Sequence, residues 1–318
     1  MYLLYLMRTF LISATIIPII SAQSSITDPT KRAEFALSAL QIWYNAGTGL
    51  WNTCGWWNSA NVMTTVANLA KRDPNPQLQS LCVRLFANTL TQAPAKNPQP
   101  GVEGSAVKRR NVDNQTFALF NGTGLGTGYD KIADQNGQPV TVYPEDWDKA
   151  DGPYIDVTSL PIYKTSGKIT VAAADVNDWL DGFYDDDLWW ALGWIGAYDV
   201  TGDTEYLALA ENIFKAVTKA WPSTCGGGGI YWSWKKDYVN AIANELFLST
   251  AAHLANRAPD KTFYLDWAKK ELDWFLSTGM INERGTINDG LDSACKNNNQ
   301  VCMHFSPSLL SPTLIHQL

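Results

Sequence analysis

Tyr184-Asp185-Asp186-Asp187-Leu188-Trp189-Trp190-Ala191-Leu192-Gly193-Trp194-Ile195-Gly196-Ala197-Tyr198-Asp199 is the stretch on which the reading of this chain turns. Three acids open a long apolar, aromatic run, which reads as a helix with its negative charge in the first turn, where the helix dipole favours it. The run stops at the joint Thr201-Gly202-Asp203, and a second helical pattern follows over 203–221. The same reasoning predicts helices over 29–45, opened by an Asp28-Pro29 cap, and over 58–71, 76–90, 237–256 and 261–276, with Ala258-Pro259-Asp260 as another joint. None of these patterns reads as a strand. Short joints make consecutive helices antiparallel neighbours, so the expected class is all-α, built of helical hairpins.

Consecutive carboxylates at a helix start suit one chemistry in particular. Cleaving a glycosidic bond takes two carboxyl groups, about 5 Å apart when configuration is retained and about 6.5 to 9.5 Å apart when it is inverted. Neighbours on one helical turn can meet the shorter spacing. Asp185, nearest the N-terminus, is the candidate to stay ionised as nucleophile, while the adjacent charge should raise Asp186 and keep it protonated as an acid. The split belongs to the pair. The same three aspartates could instead form an N-cap and a solvated first turn. The chain also has 14 tryptophans, whose faces pack well against sugar C–H groups, although core packing is the ordinary role of any one of them.

Composition narrows the alternatives. A chain of 318 residues with 46% hydrophobic content can bury a sizeable core. A net charge of -7, with Lys108-Arg109-Arg110 as the basic cluster, argues against nucleic acid as a partner. Arg8, the apolar run from Thr9 to Ile20 and Ser21-Ala22-Gln23 read as a signal peptide over 1–22, too short for a membrane span. Export fits two glycosylation sequons, at Asn114 and Asn121. Cys54, Cys82, Cys225, Cys295 and Cys302 have no metal-binding spacing, and there are three histidines, so neither a metal nor another cofactor is expected. His253, on an apolar helix, reads as structural.

The segment from about 92 to 176 is rich in Gly, Pro, Asn and Asp and reads as an insertion with strands and turns of its own. Gly226-Gly227-Gly228-Gly229 lacks the Lys-Ser/Thr of a phosphate loop and is followed by Ile230-Tyr231-Trp232-Ser233-Trp234. Those glycines are expected to make a tight turn or to let backbone approach a ligand.

Five blocks together resemble glycoside hydrolase family 76, the fungal secreted α-1,6-mannanases in particular: Gly55-Trp56-Trp57-Asn58-Ser59-Ala60-Asn61, the run from Tyr184 to Tyr206, Thr224-Cys225-Gly226-Gly227-Gly228, the run from Asn240 to Leu248, and Asn288-Asp289-Gly290-Leu291-Asp292. The resemblance spans about 30–92 and 177–299. It implies an (α/α)6 toroid and a retaining mechanism on mannan, with Asp185 as nucleophile and Asp186 as acid/base. It further implies a substrate groove drawn from Trp57, Asn58, Asn61, Tyr184, Asp187, Trp189, Trp190, Gly227, Gly228, Asn240, Asn244, Glu245, Asn288 and Asp289. Asp187 departs from the Glu or Gln frequent in relatives, and its extra charge would alter the pair. Glu245 stands out because an inward carboxylate costs several kcal/mol unless paired.

The function implied is a mannan endo-1,6-α-mannosidase, monomeric and secreted to the medium or cell wall, acting on mannan or mannosylated wall glycan. A wall transglycosylase with the same pair, and an inactive mannan-binding protein, are the alternatives. The family-like domain covers 23–300, and 301–318 is a non-homologous tail for which intron read-through is one origin. Setting Cys302 aside leaves four cysteines able to pair, Cys225 with Cys295 among the options. Seven helices before residue 280, against twelve in the toroid, predict helix faces left bare.

Overall fold

The computed structural model describes residues 28–41, 43–52, 54–101 and 173–300. The signal-peptide reading, the sequons, the basic cluster, most of the insertion and the tail lie outside them. Seven α-helices occur among the described residues: α1 (Pro29–Gln41), α2 (Trp56–Arg72), α3 (Pro76–Gln92), α4 (Tyr184–Thr201), α5 (Thr204–Val217), α6 (Ala241–Ala255) and α7 (Lys261–Ser277). The last six form three consecutive hairpins on the plan of an α/α toroid.

Sequence chemistry sets most helix starts. Asp28 accepts the Thr30 N–H at 2.8 Å, with Pro29 at the first helical position, where its missing N–H costs nothing. Asp203, Asn240 and Asp260 cap α5, α6 and α7 in the same way. Two ends differ from expectation. The pattern over 29–45 stops at Gln41, because Tyr44–Asn45 (β1) pairs antiparallel with Leu50–Trp51 (β2), around a turn in which Asn45 accepts the Gly47 N–H. The pattern over 237–256 begins only at Ala241, because Val239–Asn240 (β3) pairs with Gly290–Leu291 (β4).

Helices α2, α4 and α6 run side by side in the same direction. Ala60 and Ala67 of α2 lie against Gly193 and Gly196 of α4, so position advances together along both helices. At the far end Lys71 and Arg257, which follow the same direction on α2 and just past α6, both reach Asp199. The amino ends of the three helices therefore gather at one end of the molecule. Helix α4 is buried on nearly every side, which is why it is apolar all round rather than striped.

Beneath the start of α4 lies a tryptophan cluster. Trp56, Trp179, Trp190 and Trp194 contact one another at 4.7–6.0 Å between ring centroids, and Tyr206 stacks on Trp194 at 5.4 Å. This is core packing, and it makes Trp190 a floor beneath the site rather than a sugar platform. Among the described residues only Trp232 and Leu276 are large exposed apolar side chains, so the bare helix faces expected from the helix count are not found there. Part of the reason is Lys270, whose ammonium lies 4.8 and 4.4 Å from the rings of Trp221 and Trp267.

Candidate active site

The turn before α4 folds back on the helix start. Gly182 sits at φ +91°, and a Cβ there would lie 2.4 Å from the Trp234 ring, so the turn requires glycine. It brings Asp181 beside the helix start: the Asp181 N–H donates to Asp187 Oδ1 at 2.9 Å, and Asp181 Oδ1 accepts the Phe183 N–H at 3.0 Å. The N-cap position falls on Phe183, whose side chain makes no capping bond. Asp185, Asp186 and Asp187 are thus not the cap, and Asp187 is buried rather than solvated.

Four carboxyl groups meet here, and among the described residues no cation pairs with any of them. Asp185 and Asp186 are half-buried. Burial pushes Asp185 up to about 6, against a lowering hydrogen bond from Trp232. Asp186 is pushed up to about 9, by burial first and then by the charges of Asp181 and Asp185. The expected order of the two holds. Its expected cause does not: burial outweighs the neighbour's charge, and Asp185 too is raised despite its place at the helix start. Asp187 is raised well above the ordinary carboxylate value, by burial first and then by the charge of Asp181.

The other residues singled out in the sequence divide into two groups. Trp57, Asn58 and Asn61 lie half-buried on the first turns of α2, the neighbour of α4 at this end. Tyr184 and Trp189 are half-buried on α4 itself, and Gly227 is exposed with open space around it. Asp289 is partly buried and accepts from the Tyr238 hydroxyl. The second group is withdrawn from solvent and has work inside the protein. Asn244 clamps Ile230, accepting its N–H at 2.7 Å and donating to its carbonyl at 3.0 Å. Asn240 is the α6 cap, and Asn288 bridges Asn282 and Asn297. A Cβ at Gly228 would lie 2.3 Å from Trp274, so that glycine accommodates an indole rather than a ligand. Glu245 is buried with neither oxygen hydrogen-bonded and is pushed up to about 9 by burial, which answers its cost by protonation rather than pairing.

Two residues of the site escaped sequence reasoning. Asp181 is four positions before Asp185, but only the Gly182 turn makes them neighbours. Trp232, in the aromatic tail of the glycine run, donates its indole N–H to Asp185 Oδ2 at 3.0 Å. The loop carrying it is fastened by a disulfide between Cys225 and Cys295, one of the pairings open in the sequence, whereas Cys54 and Cys82, the other two cysteines that could have paired, are free thiols.

The description Glycosyl hydrolase family 76 matches residues 147–308, just over half of the chain and inclusive of Asp181 to Asp187 and Trp232. The chain belongs to glycosyl hydrolase family 76. Family 76 relatives include the mannan endo-1,6-alpha-mannosidase DCW1 of Saccharomyces cerevisiae, 28% identical over 109 residues, which are 31% of this chain and 24% of that protein. The protein of the same name from Eremothecium gossypii is 25% identical over 143 residues, 40% of this chain and 32% of its own. The matched stretches thus span 24% and 32% of the length of these curated relatives. Among solved structures, Dfg5 from Chaetomium thermophilum in complex with glucosamine is 17% identical, with a TM-score of 0.46 over 85% of this chain and 53% of that one.

Proposed function

We propose that this family 76 protein is a retaining, endo-acting α-1,6-mannosidase of mannan, with Asp185 as nucleophile and Asp186 as acid/base. The observation that carries the reading is the half-buried pair at the start of α4, with Asp185 pushed to about 6 and Asp186 to about 9. Near neutral pH one is then ionised and the other protonated, the state in which a retaining reaction begins. The Asp185 carboxylate attacks the anomeric carbon while Asp186 gives its proton to the departing glycosidic oxygen. Asp186, now a carboxylate, takes a proton from water as that water's oxygen displaces Asp185 and releases the sugar. The names of the curated relatives support α-1,6-mannan as the substrate. The reading of 1–22 as an export signal supports action outside the cell or in its wall.

Incubating the purified chain with linear α-1,6-mannan and a labelled mannosyl acceptor tests this. New reducing ends, first appearing with the α configuration in NMR spectra, are expected. Elongated acceptor would make the protein a transglycosylase, and bound mannan without turnover would make it a binding protein.

A further inference from the structure

The two oxygens of Asp185 are unequal. Oδ1 is buried without a hydrogen-bond partner, whereas Oδ2 accepts the Trp232 indole N–H at 3.0 Å. Trp232 is 37% exposed, unusual for so large an apolar ring, and its backbone is tied on both sides. Its N–H donates to the Tyr238 carbonyl at 2.8 Å, and its carbonyl accepts the Tyr184 N–H at 2.9 Å, one residue before Asp185. The ring leans on Phe183 at 5.0 Å, and Phe183 bridges Ser233 in antiparallel fashion. Chain segments 47 residues apart are thus fastened together immediately around the carboxylate, and the one polar atom of the indole points at it.

We propose that Trp232 is the positioning residue of the nucleophile: its indole N–H fixes the orientation of the Asp185 carboxylate by a side-chain hydrogen bond to Oδ2, where no cation among the described residues pairs with it. A neutral donor suits the task. A lysine or arginine in its place would hold the carboxylate more strongly but would also pull Asp186 toward ionisation and weaken it as an acid. The indole favours the carboxylate of Asp185 over its acid form while adding no charge to the neighbour. The inference rests on the proposed role of Asp185.

The test needs no turnover at first. In the full chain labelled with 15N-tryptophan, the Trp232 indole resonance, assigned by its loss in Trp232→Phe, should shift with pH through an inflection near 6. That inflection should vanish in Asp185→Asn. An indole signal indifferent to pH, or an inflection that survives Asp185→Asn, would overturn the proposal. In turnover of linear α-1,6-mannan, Trp232→Phe keeps an aromatic ring but loses the donor. It should lower kcat about tenfold, leave KM little changed and move the acid limb of the pH profile about one unit upward. A benzothienylalanine at position 232, nearly the same shape without the N–H, should reproduce those effects with an unchanged melting temperature. Loss of activity with an unmoved acid limb would make Trp232 a packing residue only. If Asp185→Asn turned over normally, the proposed mechanism would fail instead, and the indole titration would still report on the contact.

Discussion

The two ends of α4 handle carboxylates in opposite ways. At its start, Asp181, Asp185, Asp186 and Asp187 crowd together with no cation among the described residues paired to them, and burial raises all four. At its end, burial would likewise raise Asp199, but hydrogen bonds and charge from Arg257 and Lys71 outweigh it and hold Asp199 below the usual range. His253, one turn before Arg257, lies 3.3 Å from that guanidinium through Nδ1 and is pushed down to about 4, by burial first and then by the neighbouring cations. One end is neutralised by partners and ties α2, α4 and the segment after α6 together. The other holds protons where cations would be expected, which costs stability and leaves reactive groups.

The sharpest way to break this comparison is to change one aspartate at each end. Asp185→Asn should reduce mannan turnover by about 10⁴-fold, the scale seen when one member of a catalytic unit is removed, while mannan binding measured by retention on the polymer persists. Equal loss of binding would make the start of α4 a structural element like its end. Asp186→Ala should slow mannan by about 10² to 10⁴, and activated aryl mannosides much less, because only a poor leaving group needs the proton. Equal slowing of both substrates would remove Asp186 from the acid role. Asp199→Asn should leave kcat unchanged but cost about 1–3 kcal/mol in urea unfolding, between the values for exposed and buried pairs.

The smallest effect is the pH dependence of stability, where the two ends have opposite signs. A carboxyl raised in the folded state binds its proton there more tightly than in the unfolded chain. Asp185 therefore contributes stability that is present below the unfolded value near 4 and lost as pH rises through about 6. Asp186, and Glu245 elsewhere in the core, extend that loss toward about 9. Asp199, lowered in the folded state, contributes stability above the unfolded value that disappears as pH falls through its folded one. Melting temperature should thus rise as pH falls from 9 toward 5, then drop in stronger acid. Asp185→Asn should flatten the slope between 4 and 6, and Asp199→Asn should weaken the acid drop. A melting curve unchanged by either variant would mean that neither end sets the balance.

Much of the helical framework was legible because its signals are local. Asp28-Pro29, Asp203 and Asp260 cap helices by bonding backbone two or three residues away, and the Asp185-Asp186 pair is adjacent in the chain whatever the fold. The misread ends at Gln41 and Ala241 have another origin: each helix is cut short by a strand partner, and the partner of Val239–Asn240 lies some fifty residues away at Gly290–Leu291. The groove residues were harder still. Trp190, Asn244 and Asn288 have the right chemistry for a sugar, and only their burial shows them turned to the core.

The sequence by itself determined an all-α chain of hairpins and a carboxylate pair at the head of its most apolar helix, because periodicity, capping and adjacency act within a few residues. Adjacency also predicts the order of the two carboxyls, but tertiary structure decided how tightly each holds its proton, since that depends on how much water the packing around α4 excludes and on the return of Asp181 through the Gly182 turn. It also decided that Trp232 meets Asp185 across 47 residues of chain, a contact made when Asn244 of α6 clamps Ile230 and the next strands of backbone bind the segment before α4. Proton affinity and long-range aim are properties of the packed interior, and no local pattern of residues carries them.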